Sequence, residues 1–432
     1  MAWNPLLDNI SVNLLNKLRD AISCPEFINR HKNSAKDFVR NRILSFQTLL
    51  VFLMNLNKGA CQDELDNFFK SRDSLDVAER VVTSGALTKA RKKLKHGAFI
   101  ELNSRLTTFF YENYTPLKWK GFRLLAIDGS TVKVPKESAI AEHFGQWNSA
   151  KGEPCPIARV SGMYDVLNKL YVDALIRPKA HGERQLAAEH LPKIGKGDLI
   201  LLDRGYPAFW LFARIVEQGA DFCARISATK WIIVRNFLSS GLKEHIVTLK
   251  PGRDEKSSPT ASLRVRLVRI DIGNPEPEVL ITSLIDTKAI GCDDFKELYH
   301  KRWGIEEAYK ALKCRMEIEN FSGKSVESVY QDFHSTIFTA NLVSAISSET
   351  REAIEETCKE RKHPYQLNFT QALSKMKNTI VLLFTRLDIA GILKRLLELF
   401  AKSIEPIRPD RMFQRNKKVK LQKFFTGYKR LS

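Results

Sequence analysis

Two short runs in this chain are apolar almost throughout, and each ends in aspartate: Arg123-Leu-Leu-Ala-Ile-Asp128 and Asp198-Leu-Ile-Leu-Leu-Asp203. An unbroken apolar run of this length suits a strand covered on both faces, the habit of a parallel sheet. Between the runs, residues 160–166 and 169–176 read as a hairpin around Leu167-Asn168, and 183–191 as a helix. After the second run, Pro207 suits a first helical position, so 207–218 read as a helix and 222–226 as a further strand. The chain is therefore expected to form an α/β sheet whose carboxylates gather at strand ends, where open sheets keep their functional crevice.

A third carboxylate sits in a different setting. Tyr299, Arg302, Glu306 and Lys313 are spaced by three, four and seven residues. On an uninterrupted α-helix these steps keep all four within an arc of roughly 60°. The helix is read from Asp293 to about Glu317, weakened but not broken by Gly304. Lys310 falls on the same face, and the adjacent Trp303 is read as a core residue. Strand with Asp, hairpin, helix, strand with Asp, helix, strand, then helix with Glu is the element order of a ribonuclease H-like fold.

Composition points the same way. Lys and Arg number 69 against 49 Asp and Glu, a formal charge of +20, which favours a polyanionic partner such as DNA or RNA. The seven cysteines never form C-x-x-C, so neither a disulfide framework nor a zinc site is expected, and most are read as buried apolar residues. There is no P-loop and no H-E-x-x-H, which leaves nucleotide hydrolysis and zinc peptidase chemistry without their residues. The strongest apolar run, 43–56, is short and interrupted by polar residues, so a cytoplasmic protein with no membrane span is expected.

The expected organisation is a helical DNA-binding region over 1–118, an α/β catalytic domain over 119–325, a helical region over 326–407 and a basic tail over 408–432. An all-β insertion is read at about 229–286, from the β-formers and alternation around 263–272. Lys89, Arg91, Lys92, Lys93 and Lys95 crowd the end of a helix capped by Thr83 or Ser84. They either contact a DNA backbone or simply complement the helix dipole. His181-Gly182-Glu183-Arg184 either contacts DNA or opens a helix. Tyr299 either donates to a phosphate or packs beneath its helix.

Three convergent carboxylates repel one another unless cations neutralise them. Hard oxygen donors suit Mg²⁺ or Mn²⁺, and a pair of such ions can serve in-line displacement at phosphorus. Asp128, Asp203 and Glu306 are the candidate ligands. Arg302, one turn before Glu306, can fork onto a phosphate, and Lys313, about 10 Å along the helix, can hold a neighbouring one.

These motifs resemble those of bacterial insertion-sequence transposases of the DDE class, in the IS4 family. The family signature Y-x2-R-x3-E-x6-K is matched by Tyr299, Arg302, Glu306 and Lys313. The strand-end D-G-[ST] context is matched by Asp128-Gly129-Ser130, and D-x-G-[YF] by Asp203-Arg204-Gly205-Tyr206. The likeness covers about residues 84–320. It implies an enzyme that binds terminal inverted repeats in double-stranded DNA, cleaves the ends and joins 3′-hydroxyls to target DNA, as a homodimer on DNA in the bacterial nucleoid. It carries no role over to Trp231, which does not match a base-stacking position. A nuclease on the same fold that cuts without joining, and an inactive DNA-binding descendant, are the alternatives.

Overall fold

The computed structural model describes residues 10–149, 152–227, 230–252, 260–270, 277–408 and 429. The chain divides into two compact units. One comprises 1–115, 132–158 and 311–432; the other comprises 116–131 and 159–310. The expected basic tail lies outside the described residues except for Arg408 and Lys429, and so do most of the turn-like stretches around 251–254 and 274–277.

The first unit is mainly helical. Its helix Val326–Ser348 is buried on nearly every side, so the polar residues it carries must find partners inside. Arg91 supplies one set. It is 6% exposed and donates from Nε to Gln331 (2.9 Å), from Nη1 to Ser322 Oγ (2.6 Å) and from Nη2 to Asp332 Oδ1 (2.7 Å). Arg91 is thus a buried structural anchor, which corrects the reading that placed it on a DNA backbone; Lys92 beside it is exposed. The helix that ends at Arg91 begins as expected, with Thr83 Oγ1 accepting the Ala86 N–H at 3.2 Å.

The second unit is built on a sheet. Its strands are β1 (Arg123–Lys133), β3 (Gly152–Asp165), β4 (Leu170–Pro178), β5 (Asp198–Leu202), β6 (Asp221–Ile226), β7 (Glu244–Leu249), β8 (Leu263–Ile270) and β9 (Glu278–Thr282). The first unit keeps β2 (Gln146–Ser149), which pairs with the opening residues of β3. Across the sheet the order is β4-β3-β1-β5-β6-β9-β8-β7. β1, β5 and β6 run parallel; β9, β8 and β7 continue antiparallel. Every residue of β5 is buried, as are Leu124 to Ile127 of β1, which is why these strands read as plain apolar runs.

The β3–β4 turn is fixed by Asp165. It is buried, yet its Oδ1 accepts the N–H groups of Leu167 (3.1 Å) and Asn168 (3.0 Å), and its Oδ2 accepts Asn168 Nδ2 (2.8 Å). The stretch expected to be all β is not. It opens with the helix Ile232–Ser239, and its three strands extend the main sheet beyond β6. Val234 and Phe237 are buried while Ile232 is exposed, so a helical stripe overrides the local β-propensity. Of the seven cysteines, Cys223 and Cys358 alone are fully buried, fewer than expected.

Candidate active site at the ends of two parallel strands

β1 and β5 pair in register up to Ile127 opposite Leu202. Asp128 follows Ile127 within β1, which runs on to Lys133, and Asp203 follows the last residue of β5, so the two acids lie at the same level just past the parallel pairing. Each carboxylate accepts the N–H of a glycine close by in the chain. Asp128 Oδ1 accepts the Gly129 N–H at 2.8 Å, and Asp203 Oδ1 accepts the Gly205 N–H at 2.7 Å. Both are partly exposed.

Glu306 comes from the helix Trp303–Lys310 of the same unit. Its carboxylate accepts Arg302 Nη2 at 2.9 Å. Arg302 is buried, with its guanidinium 5.5 Å from the centre of the Tyr299 ring and 5.8 Å from that of Trp303. Tyr299 is 6% exposed, and its hydroxyl makes a long contact of 3.4 Å with the Leu202 carbonyl. Of the two roles open to Tyr299, packing beneath the helix is the one this geometry takes. Trp303 is 43% exposed rather than in the core.

The single long helix is also corrected. It runs as Asp294–Lys301, then Trp303–Lys310, then a π-helical segment Ala311–Arg315. Gly304 sits where a Cβ would come within 3.1 Å of Val166 Cβ, so a side chain there would crowd the β3–β4 turn and Val166 would have to give way by a few tenths of an ångström. Lys313 lies on the π-helical segment, within the first unit, and is half-buried. A π turn is wider than an α turn, so the 60° arc drawn for an uninterrupted α-helix does not apply to Lys313. Lys310 is exposed and paired with Glu307.

Asp203 and Glu306 both lie within electrostatic reach of Asp128. Burial, with added repulsion from Asp203 and Glu306, raises the Asp128 carboxyl to about 6; the Gly129 N–H and Arg302 oppose the rise. Two buried donors nearby have no hydrogen-bond partner among the described residues: the Tyr206 hydroxyl and Arg302 Nε. Among the described residues no three His, Cys, Asp or Glu side chains close into a ready metal cage. The carboxylates are instead turned onto Gly129, Gly205 and Arg302. The site therefore has hard oxygen donors and an excess of negative charge. That chemistry fits a divalent cation with a bound phosphate, once the side chains turn inward.

One stability prediction follows. A carboxyl whose folded pKa is raised favours the protonated state, so its contribution is fully present below the ordinary value of 3.8 and is lost as pH rises through about 6. Asp128→Asn should therefore stabilise the metal-free protein at pH 7.5, by on the order of 1–2 kcal/mol. The gain should vanish near pH 4. Thermal melts of both proteins at the two pH values check this.

The same unit holds a cluster that the sequence reading missed. His190 Nε2 lies 2.9 Å from Ser161 Oγ, and His190 Nδ1 lies 2.7 Å from Asp173 Oδ2; Lys193 Nζ donates to Asp173 Oδ1 at 2.6 Å. The order Ser–His–Asp is that of a nucleophile triad. Ser161 is 2% exposed and His190 0%, so no substrate reaches the hydroxyl, and the cluster is structural. Burial would raise the Asp173 carboxyl, but the bonds from His190 and Lys193 outweigh it and hold the group at about 2. Nothing local signals this set, since its members come from β3, β4 and the helix Glu183–His190.

Comparison with known proteins defines the class. The family model described as "Transposase DDE domain" matches residues 119–342. The chain belongs to the transposases with a DDE domain. It is similar to the transposase InsG for insertion sequence element IS4 of Escherichia coli (strain K12), at 25% identity over 269 residues. That alignment covers 61% of this chain and 60% of the relative, so it spans less than two thirds of the relative's length. A cryo-EM structure of the piggyBac transposase synaptic complex with hairpin DNA aligns over 89% of this chain and 84% of that one, at 10% identity and a TM-score of 0.48. That likeness is too loose to build on.

Proposed function

We propose that this protein is a DNA transposase of the IS4 type that binds the terminal inverted repeats of its element, cleaves the ends and joins the freed 3′-hydroxyls to target DNA. The observation that carries the reading is the register of β1 and β5, which sets Asp128 beside Asp203, with Glu306 near enough to raise the Asp128 pKa. The strand order β4-β3-β1-β5-β6, with its last three strands parallel, supports a ribonuclease H-like catalytic domain.

Asp128, Asp203 and Glu306 would hold Mg²⁺ or Mn²⁺, in two ions. Bound there, such ions would activate the attacking oxygen and stabilise the leaving one at phosphorus. Arg302 steadies the Glu306 carboxylate and is the guanidinium that would receive a phosphate oxygen. Lys313, Lys310 and Lys92 are further phosphate contacts in this reading, whereas Tyr299 supports Arg302 from below. Hydrolysis releases a 3′-hydroxyl, and the same oxygen then attacks a target phosphodiester; both steps are displacements at phosphorus. A dimer pairs the two ends, and the protein works in the bacterial cytoplasm on the nucleoid. No helix among the described residues is long and apolar enough to cross a membrane.

The test is incubation of the full chain with Mg²⁺ and DNA carrying the ends that flank its gene. Cuts at the repeat termini, and joining of pre-cleaved ends to a target plasmid, are the expected products. Cutting without joining would reduce the reading to a nuclease, and no metal-dependent cutting would overturn it.

A further inference from the structure

We propose that Arg184 is a positioning residue that sets the Asp203 turn relative to Asp128 on β1. This rests on the reading that those acids hold the metal. The β1–β5 pairing ends at Ile127 and Leu202; Asp128 and Gly129 continue along β1 beside β3, but beyond that pairing the sheet ladder does not hold the Asp203 turn. The first turn of the helix Glu183–His190 reaches both stretches. Arg184 Nε donates to the Gly205 carbonyl at 3.1 Å, and the N–H of that same Gly205 bonds Asp203 Oδ1. Glu183 lies against Gly129, whose N–H bonds Asp128 Oδ1; a Cβ on Gly129 would sit 3.3 Å from Glu183 Cγ. Of two consecutive helical residues, one thus bonds the glycine that orients Asp203 and the other lies against the glycine that orients Asp128.

The helix making this bracket is held at both ends. Gln185 accepts the Gly182 N–H at 3.0 Å, and Arg159 pairs with Glu183 at 3.0 Å. At the other end His190 is locked between Ser161 and Asp173. This gives the buried Ser–His–Asp cluster a use: it fixes the far end of the helix that spaces the acids. It also favours the helix-opening reading of His181-Gly182-Glu183-Arg184, because Arg184 Nε is donated to the Gly205 carbonyl. Residues that orient metal ligands from behind typically change metal affinity 10–100-fold when removed.

The experiment measures Mn²⁺ binding to the full-length, metal-free protein by the free-ion EPR signal, for wild type, Asp203→Asn, Arg184→Ala and Arg184→Lys. DNA affinity is measured separately in EDTA. Arg184→Ala should weaken Mn²⁺ binding about tenfold, with thermal stability and metal-free DNA affinity close to wild type. Arg184→Lys should recover most of the loss, since an ammonium can still donate to the Gly205 carbonyl. If Asp203→Asn weakens Mn²⁺ binding and Arg184→Ala does not, the positioning role is wrong while the metal reading stands. If Arg184→Ala lowers DNA affinity and leaves Mn²⁺ binding alone, Arg184 is a phosphate contact instead. If neither variant changes Mn²⁺ binding, the metal reading falls and this proposal with it.

Discussion

Glu306→Gln is expected to slow DNA strand cleavage by about a thousandfold or more, the equivalent of about 4 kcal/mol of transition-state stabilisation. The substitution keeps the size of the side chain and one oxygen able to accept from Arg302. It removes the negative charge that completes the acid set. The fold should be untouched, because Glu306 is partly exposed and pairs locally, one helical turn from Arg302. Asp128→Asn and Asp203→Asn should cause losses of similar size, and the three should not add, because they act as one unit. Single-turnover cleavage of end-containing DNA, with circular dichroism to confirm folding, measures this. Residual cleavage within tenfold of wild type in any of the three would remove that residue from the site.

Arg91→Ala should have the largest effect on stability, about 3–5 kcal/mol. Its guanidinium is inside the first unit, and its removal takes from the buried Asp332 the cation hydrogen-bonded to it, leaving Ser322 as its hydrogen-bond partner among the described residues. Gln331 loses a donor in the same step. Replacing both ends together, Arg91→Met with Asp332→Asn, should recover a large part of the loss, because the cost lies in the stranded charge rather than in the missing pair. Chemical denaturation of the three proteins checks this. A surface DNA contact would behave oppositely, with unchanged stability and weaker binding that depends on salt. Lys92→Ala, one residue away and exposed, is expected to follow that second pattern.

What could be seen in the sequence depended on how local its cause is. β5 and the buried part of β1 showed because strands covered on both faces are apolar at every position. The acids showed because each ends such a run. The helix around Glu306 was visible, but its interruption after Lys301 was not. That break accompanies Gly304 pressing on Val166, a residue 138 positions earlier in the chain (304 − 166). Arg91 looked like a surface cation because its partners Gln331 and Asp332 are 240 and 241 residues downstream. The helix Ile232–Ser239 was hidden by its β-branched residues, although Val234 and Phe237 already carried the three-residue step of a helix face. Arg184 and Glu183 were legible as a helix opening, but their hold on Gly205 and Gly129 depends on the tertiary fold.

The claim that Asp128, Asp203 and Glu306 share divalent cations is tested most directly by letting a bound ion mark its own position. Fe²⁺ substituted for Mg²⁺ in the DNA-bound protein, with ascorbate and peroxide, cuts the polypeptide beside the metal. Fragments ending near residues 128, 203 and 306 together, all lost in Asp203→Asn and suppressed by excess Mg²⁺, are the expected result. Cuts confined to other parts of the chain, or unchanged in Asp203→Asn, would contradict it.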